Sequence, residues 1–195
     1  VNNPRAVRNF SDKIMPLDLT EYMPPTLVTR DTTKIKIFLE KHEELIIKPL
    51  YQYGGRDIFY LAKNDENLES LLEVYRESYP EHWMVQKFIP EVSNGNKRVL
   101  LAQDKILQTS VIKPKSGSVR ANLAAGGSAP VEGTPTARET EACEKIMEIM
   151  SQSGVILAAI DFIGEQLTEI NTTAPADYCL LKNGSAVFWD YMLAA

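Results

Sequence analysis

The sequence predicts an α+β fold in two lobes, built on mainly antiparallel sheets. Strand-type and helix-type segments are mixed along the 195 residues rather than alternating strictly. Most neighbouring strand segments are joined by short turns, which favours hairpins over crossovers. A proline, Pro90, stops a strand between the two groups of elements and marks where the lobes meet.

In chain order, "NNPRAVRNFSDKI" reads as a short helix, with Asn3 as cap and Pro4 at its first position. "MPPTLVTR" is extended, because the prolines exclude helix. Asp31 caps a helix to about Glu44 that carries Ile35, Phe38 and Leu39 on one face. "LIIKPL" and "DIFYLA" are strands about the glycine turn "YQYGGR". "ENLESLLEVYRESY" is an amphipathic helix and "HWMVQKFI" a further strand.

The second half opens with a hairpin, "KRVLLA" and "ILQTSVI" about "QDK". The loop from Lys113 to Gly133 follows, rich in Gly, Ala and Ser and long enough to suggest a functional lid. Thr136 and Glu139 form a capping box for a helix ending near Gly154. A last hairpin lies in residues 158–175, and "SAVFWDYMLAA" reads as a final amphipathic helix. These elements divide the chain into a leading segment, 1–24, a small lobe, 25–90, and a large lobe, 91–195.

Composition is globular, with 44% hydrophobic and 24% charged residues. A net charge of -5 gives no global pull toward nucleic acid or anionic membrane, so an anionic ligand needs a local cluster of cations. No apolar run approaches 18 residues and no signal-peptide pattern is present. Cys143 and Cys179 form no metal or redox motif; Cys143, in a helical pattern, reads as a reduced buried thiol, which points to the cytoplasm. His42 and His82 sit in polar surroundings and read as solvated, with no triad or zinc pattern near them. The chain starts at Val1 rather than Met, which reads as a piece of a longer protein.

The last hairpin carries the most chemistry. With Gly164, Glu165 and Gln166 as its turn, Ile163 faces Leu167, Asp161 faces Glu169 and Ala159 faces Asn171. All six share one face, since strand side chains alternate with period two. Opposed carboxylates about 5 Å apart at Cβ repel unless a cation lies between them. Mg²⁺ fits that place, taking oxygen ligands and keeping phosphate oxygens in its shell. The opposite face (Ala158, Ile160, Phe162, Thr168 and Ile170) supplies the core. The alternative is a solvent-facing polar patch.

Lys48 ends the apolar strand "LIIK" near Gly54 and Gly55, and could reach phosphate oxygens while the glycines let backbone N–H groups approach. A snorkelling lysine beside a glycine hairpin explains it equally well. "MVQKFIPE" could present free backbone groups to an adenine edge, or be a plain buried strand. Arg98 and Arg120 are candidate clamps for phosphate or carboxylate, although Arg98 could simply pair with a neighbouring acid.

Together "VNNPRAVRNFSDKI", "MPPTLVTRD", "IIKPLYQYGG", "MVQKFIPEVSNGNKRVLL", "VRANLAAGG" and "DFIGEQLTEINTTAP" resemble bacterial-type glutathione synthetase, an ATP-grasp ligase. The resemblance covers almost the whole chain in the family's order. It implies an ATP-grasp fold, whose two lobes enclose a nucleotide site. It also implies that Lys13 and Lys48 hold ATP, that Gly54 and Gly55 cover its phosphates, and that Gln86, Lys87, Phe88 and Ile89 form an adenine hinge. Arg98, Arg120 and Asn122 match positions near the transferred phosphate and the acyl substrate, and Asp161, Glu169 and Asn171 match the Mg²⁺ ligands.

The implied reaction joins γ-glutamylcysteine to glycine through an acyl phosphate, with ATP as the driver and Mg²⁺, or Mn²⁺ in its place, as the metal. The implied assembly is a homo-oligomer, and the family's N-terminal domain is missing before "VNNP". Four positions depart from the pattern: Asn96, Ala121, Ser128 and Ala174. The competing readings are another ATP-grasp carboxylate–amine ligase, or a nucleotide-binding module with impaired catalysis.

Overall fold

The computed structural model describes residues 2–121 and 126–173. Asn122, Ala174, Cys179 and the expected final helix lie outside them. The chain opens with helix α1 (Pro4–Asn9), whose Asn3 cap accepts from the Arg5 N–H at 2.9 Å. A 3₁₀ stretch, Met15–Tyr22, follows; its sequence carries no helical period of its own, and it was not expected.

The first sheet holds β1 (Thr26–Thr29), β2 (Glu44–Pro49), β3 (Phe59–Ala62) and β4 (Trp83–Lys87) in the order β1-β4-β2-β3, with every pairing antiparallel. Helices α2 (Thr32–His42) and α3 (Leu68–Ser78) cover one face. Ile35, Leu39, Leu72 and Tyr75 pack there with Leu45, Ile47, Leu61, Trp83 and Val85. Asp31 caps α2 by accepting from the Thr33 and Lys34 N–H groups. The helix stops at His42, before the expected Glu44, because Glu43 takes a φ of 67° and Glu44 begins β2. His42 is half-buried rather than solvated, stacked edge-on against Phe38 at 4.4 Å, and burial holds its imidazole below the ordinary range. His82 is exposed, as expected.

The second sheet holds β5 (Asn96–Ala102), β6 (Lys105–Ile112), β7 (Val131–Glu132), β8 (Leu157–Ile163) and β9 (Gln166–Asn171), again antiparallel, in the order β7-β6-β5-β8-β9. Helix α4 (Ala137–Ser153) covers one face. Its capping box is formed: the Thr136 hydroxyl accepts from the Glu139 N–H and the Glu139 carboxylate from the Thr136 N–H. Gly154 ends it at a φ of 77°, a left-handed conformation that glycine takes without a Cβ penalty. Cys143 is a buried free thiol, pushed up to about 12 by burial. The long loop carries the short strand β7, and its base is tied where the Ser128 N–H donates to the Lys113 carbonyl.

The segment ahead of β1 packs into this second core. Ala6, Met15, Leu19 and Tyr22 join Val99, Leu101, Ile160, Phe162 and Ile170 under α4. The Asn2 side chain fastens it further, accepting from the Ile156 and Leu157 N–H groups and donating to the Leu157 and Thr172 carbonyls. With that face filled, the opposite face of the sheet is left to line a cleft.

The register of the last hairpin matches expectation at Asp161 with Glu169 and at Ala159 with Asn171, and departs from it at the turn. Ile163 faces Gln166, not Leu167, because the turn has two residues, Gly164 and Glu165, at φ values of 53° and 64°. Two successive positive φ angles suit the right-handed twist of a tight hairpin. A bulge at Thr168 absorbs the extra residue. Leu167 therefore fills the core position expected of Thr168, and Thr168 turns to the cleft.

Candidate functional site: a cleft between the two sheets

A cleft of about 760 Å³ lies between the sheets. Of the residues singled out from sequence, Lys13, Lys48, Gly54, Gly55, Gln86, Lys87, Phe88, Ile89, Arg98, Arg120, Asp161, Glu169 and Asn171 all line it. Asn122 lies outside the described residues.

Across the cleft floor runs a row of four charges. Arg98 on β5 pairs in register with Asp161 on β8, which pairs with Glu169 on β9. The Arg98 guanidinium grips Asp161 through two bonds of 2.7 Å, Nε to Oδ1 and Nη2 to Oδ2. That bidentate geometry is the strongest form of such a pair. At the other end Lys13 Nζ sits 2.9 Å from Glu169 Oε1 and donates to the Gln52 carbonyl at 2.6 Å. The order is Lys13, Glu169, Asp161, Arg98: plus, minus, minus, plus. Asn171 completes it, donating from Nδ2 to Asp161 Oδ2 at 3.3 Å. The facing carboxylates are thus neutralised from both flanks.

Lys48 is not a snorkelling lysine. It is 7% exposed, and its Nζ donates to the Thr168 carbonyl at 3.2 Å. Burial lowers its ammonium from 10.5 to about 8, with nearby Glu169 partly opposing the shift. The bulge that turned Thr168 out of the core is what presents this carbonyl to the cleft.

The glycine turn takes a φ of 69° at both Gly54 and Gly55, and the Gly55 carbonyl accepts from Arg120 Nη1 at 3.2 Å. The hinge stretch offers fewer free donors than expected. The Lys87 N–H is taken by the Pro25 carbonyl and the Phe88 N–H by the Glu44 carbonyl, both at 2.9 Å, because β4 lies between β1 and β2 and neighbouring backbone continues past its end.

Sequence reasoning missed one group, Asp12, and named Asn96 without its setting. Asp12 accepts from the Thr172 N–H at 3.0 Å, and burial, reinforced by Glu169, raises its carboxyl above the ordinary range. Only the neighbouring Lys13 hinted at it. Asn96 lines the cleft with its Oδ1 buried and unpartnered among the described residues. It is one of the four positions that depart from the family pattern.

The donor set suits a hard divalent cation. Among the described residues no group of three or more His, Cys, Asp and Glu side chains is gathered for a metal. Asp161, Glu169 and Asn171 all line the cleft, two carboxylates and an amide whose side-chain oxygens are the donor type such an ion takes, alongside phosphate oxygens or water. The residues present fit such an ion.

The fold is that of the ATP-grasp class. D-cycloserine synthetase superposes with a TM-score of 0.77 at 14% identity, covering 96% of this chain and 71% of its own. D-alanine–D-alanine ligase from Bacillus anthracis, solved with ATP, gives 0.65 at 15% identity over 99% of this chain and 68% of its own.

Within that class the particular family follows from sequence: the chain belongs to the prokaryotic glutathione synthetase ATP-grasp domain family, whose model matches residues 12–184. It is 36% identical over 175 residues to glutathione synthetase of Bradyrhizobium diazoefficiens, covering 90% of this chain and 55% of that protein. With the Brucella melitensis protein it shares 35% over 195 residues, 97% of this chain and 62% of that one. The chain thus spans between about half and two thirds of the length of these relatives.

Proposed function

We propose that the cleft binds Mg·ATP and serves a glutathione synthetase, joining γ-glutamylcysteine to glycine with release of ADP and phosphate. The observation that carries the reading is the row Lys13, Glu169, Asp161, Arg98, two carboxylates flanked by two cations on one cleft floor.

In this reading Lys13 and Lys48 bind the nucleotide phosphates and Gly54 and Gly55 cover them. Gln86, Lys87, Phe88 and Ile89 flank the adenine, with base contacts falling to groups other than the committed Lys87 and Phe88 N–H donors. Asp161, Glu169 and Asn171 hold Mg²⁺, with Mn²⁺ as a substitute; the ion supplies charge neutralisation for phosphoryl oxygens. Arg98, Arg120 and Asn122 orient the cysteinyl carboxylate against the γ-phosphoryl group. Transfer gives an acyl phosphate, and the glycine amine displaces phosphate from it to form the amide. No protein nucleophile is needed, since positioning and electrostatics lower the barrier. The loop from Lys113 to Gly133 excludes water from the acyl phosphate. A leading segment (1–24), a small lobe (25–90) and a large lobe (91–195) complete the proposed domain scheme, with a homo-oligomer in the cytoplasm as its setting.

Calorimetric titration of ATP, with and without Mg²⁺, tests the site. Binding should require Mg²⁺ and weaken by about a hundredfold or more in Glu169→Ala, since loss of even a partner that only orients a metal ligand costs about 10–100-fold. Unchanged affinity in that variant sinks the metal assignment. Release of ADP with γ-glutamylcysteine plus glycine, and not with paired D-alanine, tests the substrate class.

A further inference from the structure

The four charges of the cleft floor pair with one another. Lys13 occupies Glu169 at 2.9 Å and Arg98 holds both oxygens of Asp161 at 2.7 Å. The pairs are sheltered: side-chain exposure is 7% for Lys13, 24% for Glu169, 20% for Arg98 and 6% for Asp161. Asn171 Nδ2 adds a donor to Asp161 Oδ2 at 3.3 Å.

A divalent cation arriving alone would have to share these carboxylates with two fixed cations. The row would change from neutral to a net charge of two, in a setting that screens charge poorly. Polyphosphate arriving alone could take Lys13 and Arg98 only by stripping both carboxylates of their counterions, leaving like charges face to face. When both arrive together every group exchanges one partner for another: the cations pass to phosphate and the carboxylates pass to metal.

Resting on the nucleotide reading above, we infer that Lys13 and Arg98 act as built-in counterions that keep metal off Asp161 and Glu169 until nucleotide phosphate draws them away. They make metal loading conditional on nucleotide, a selectivity role beyond contacting phosphate. Lys13 is the better placed for it. Its ammonium also donates to the Gln52 carbonyl at 2.6 Å, on the loop leading to Gly54 and Gly55, so it already lies where phosphate would be received.

The test uses Mn²⁺ as probe, read by electron paramagnetic resonance, on the wild-type chain, Lys13→Met and Lys13→Gln. The glutamine variant keeps a donor for Gln52 while removing the charge. Thermal unfolding with and without Mn²⁺ is recorded for each, so that a loss of fold is seen directly. Wild type should bind Mn²⁺ with ATP present and bind it at least about tenfold more weakly without ATP. Both variants should bind Mn²⁺ without ATP at least about tenfold more tightly than wild type does, with a rise in unfolding temperature.

Two results overturn the inference while leaving the nucleotide reading intact: free wild type binding Mn²⁺ as tightly as the variants, or folded variants that still reject it. Wild type that ignores Mn²⁺ even with ATP overturns both readings.

Discussion

Lys48 Nζ donates to the carbonyl oxygen of Thr168 at 3.2 Å, joining strands of different sheets 120 residues apart. The bond exists because a bulge removes Thr168 from the regular ladder and leaves its carbonyl facing the cleft, where a buried ammonium needs an acceptor.

That burial gives a pH-dependent prediction. Lys48 falls from 10.5 to about 8 in the folded chain, so below pH 8 both folded and unfolded states carry the proton and the fold bears the full cost of the buried charge. Between 8 and 10.5 only the unfolded state keeps it, and wild-type stability rises with pH through that window. Lys48→Met should therefore be more stable than wild type at pH 7, by about 2 kcal/mol, and the gap should narrow at pH 9.5. Denaturant unfolding at the two pH values checks this. A pH-independent difference would contradict it.

Breaking the Arg98–Asp161 pair from one side leaves a buried charge. Arg98→Met should cost about 3–5 kcal/mol, whereas Arg98→Met with Asp161→Leu should recover most of that loss. A double-mutant cycle by urea unfolding measures the coupling. Additive losses would mean that the pair is far better solvated than its 20% and 6% side-chain exposures imply.

Gly164 takes a φ of 53°, and a Cβ there would meet Glu91 Cβ at 3.0 Å and Ile89 Cγ2 at 3.2 Å. Gly164→Ala should destabilise by about 1–2 kcal/mol through the left-handed backbone alone. Because Ile89 lines the cleft, ATP affinity should fall with stability. Loss of stability with unaltered affinity would separate the turn from the hinge.

Thr136→Ala removes the cap of α4, on the face of the second sheet away from the cleft. It should cost about 1 kcal/mol and leave ATP affinity unchanged. Thermal unfolding and calorimetry on the same variant check both halves.

Much of the fold was legible in the sequence because its signals are local. Asn3 and Asp31 accept from N–H groups two or three residues on, Thr136 and Glu139 cap reciprocally, and Gly154 ends α4. The expected pairing of Asp161 with Glu169 holds because the Thr168 bulge makes up for a turn one residue shorter than expected. The resemblance named the cleft residues, and the structure brings every described one of them into a single cavity.

What the sequence by itself determined, then, was most of the elements, whose signals lie within a few positions, and the pairing of Asp161 with Glu169, while Lys13 and the hinge rested on the resemblance. Tertiary structure alone decided their partners. Neither the packing of residues 15–22 into the second core nor the Thr168 bulge that sets Leu167 inward has a local signature. The joining of Lys13 to Glu169 and Lys48 to Thr168 depends on two sheets meeting, and so does the loss of the Lys87 and Phe88 donors to neighbouring backbone. Long-range pairing of charges and carbonyls follows from which surfaces are buried together, and no window of neighbouring residues contains that information.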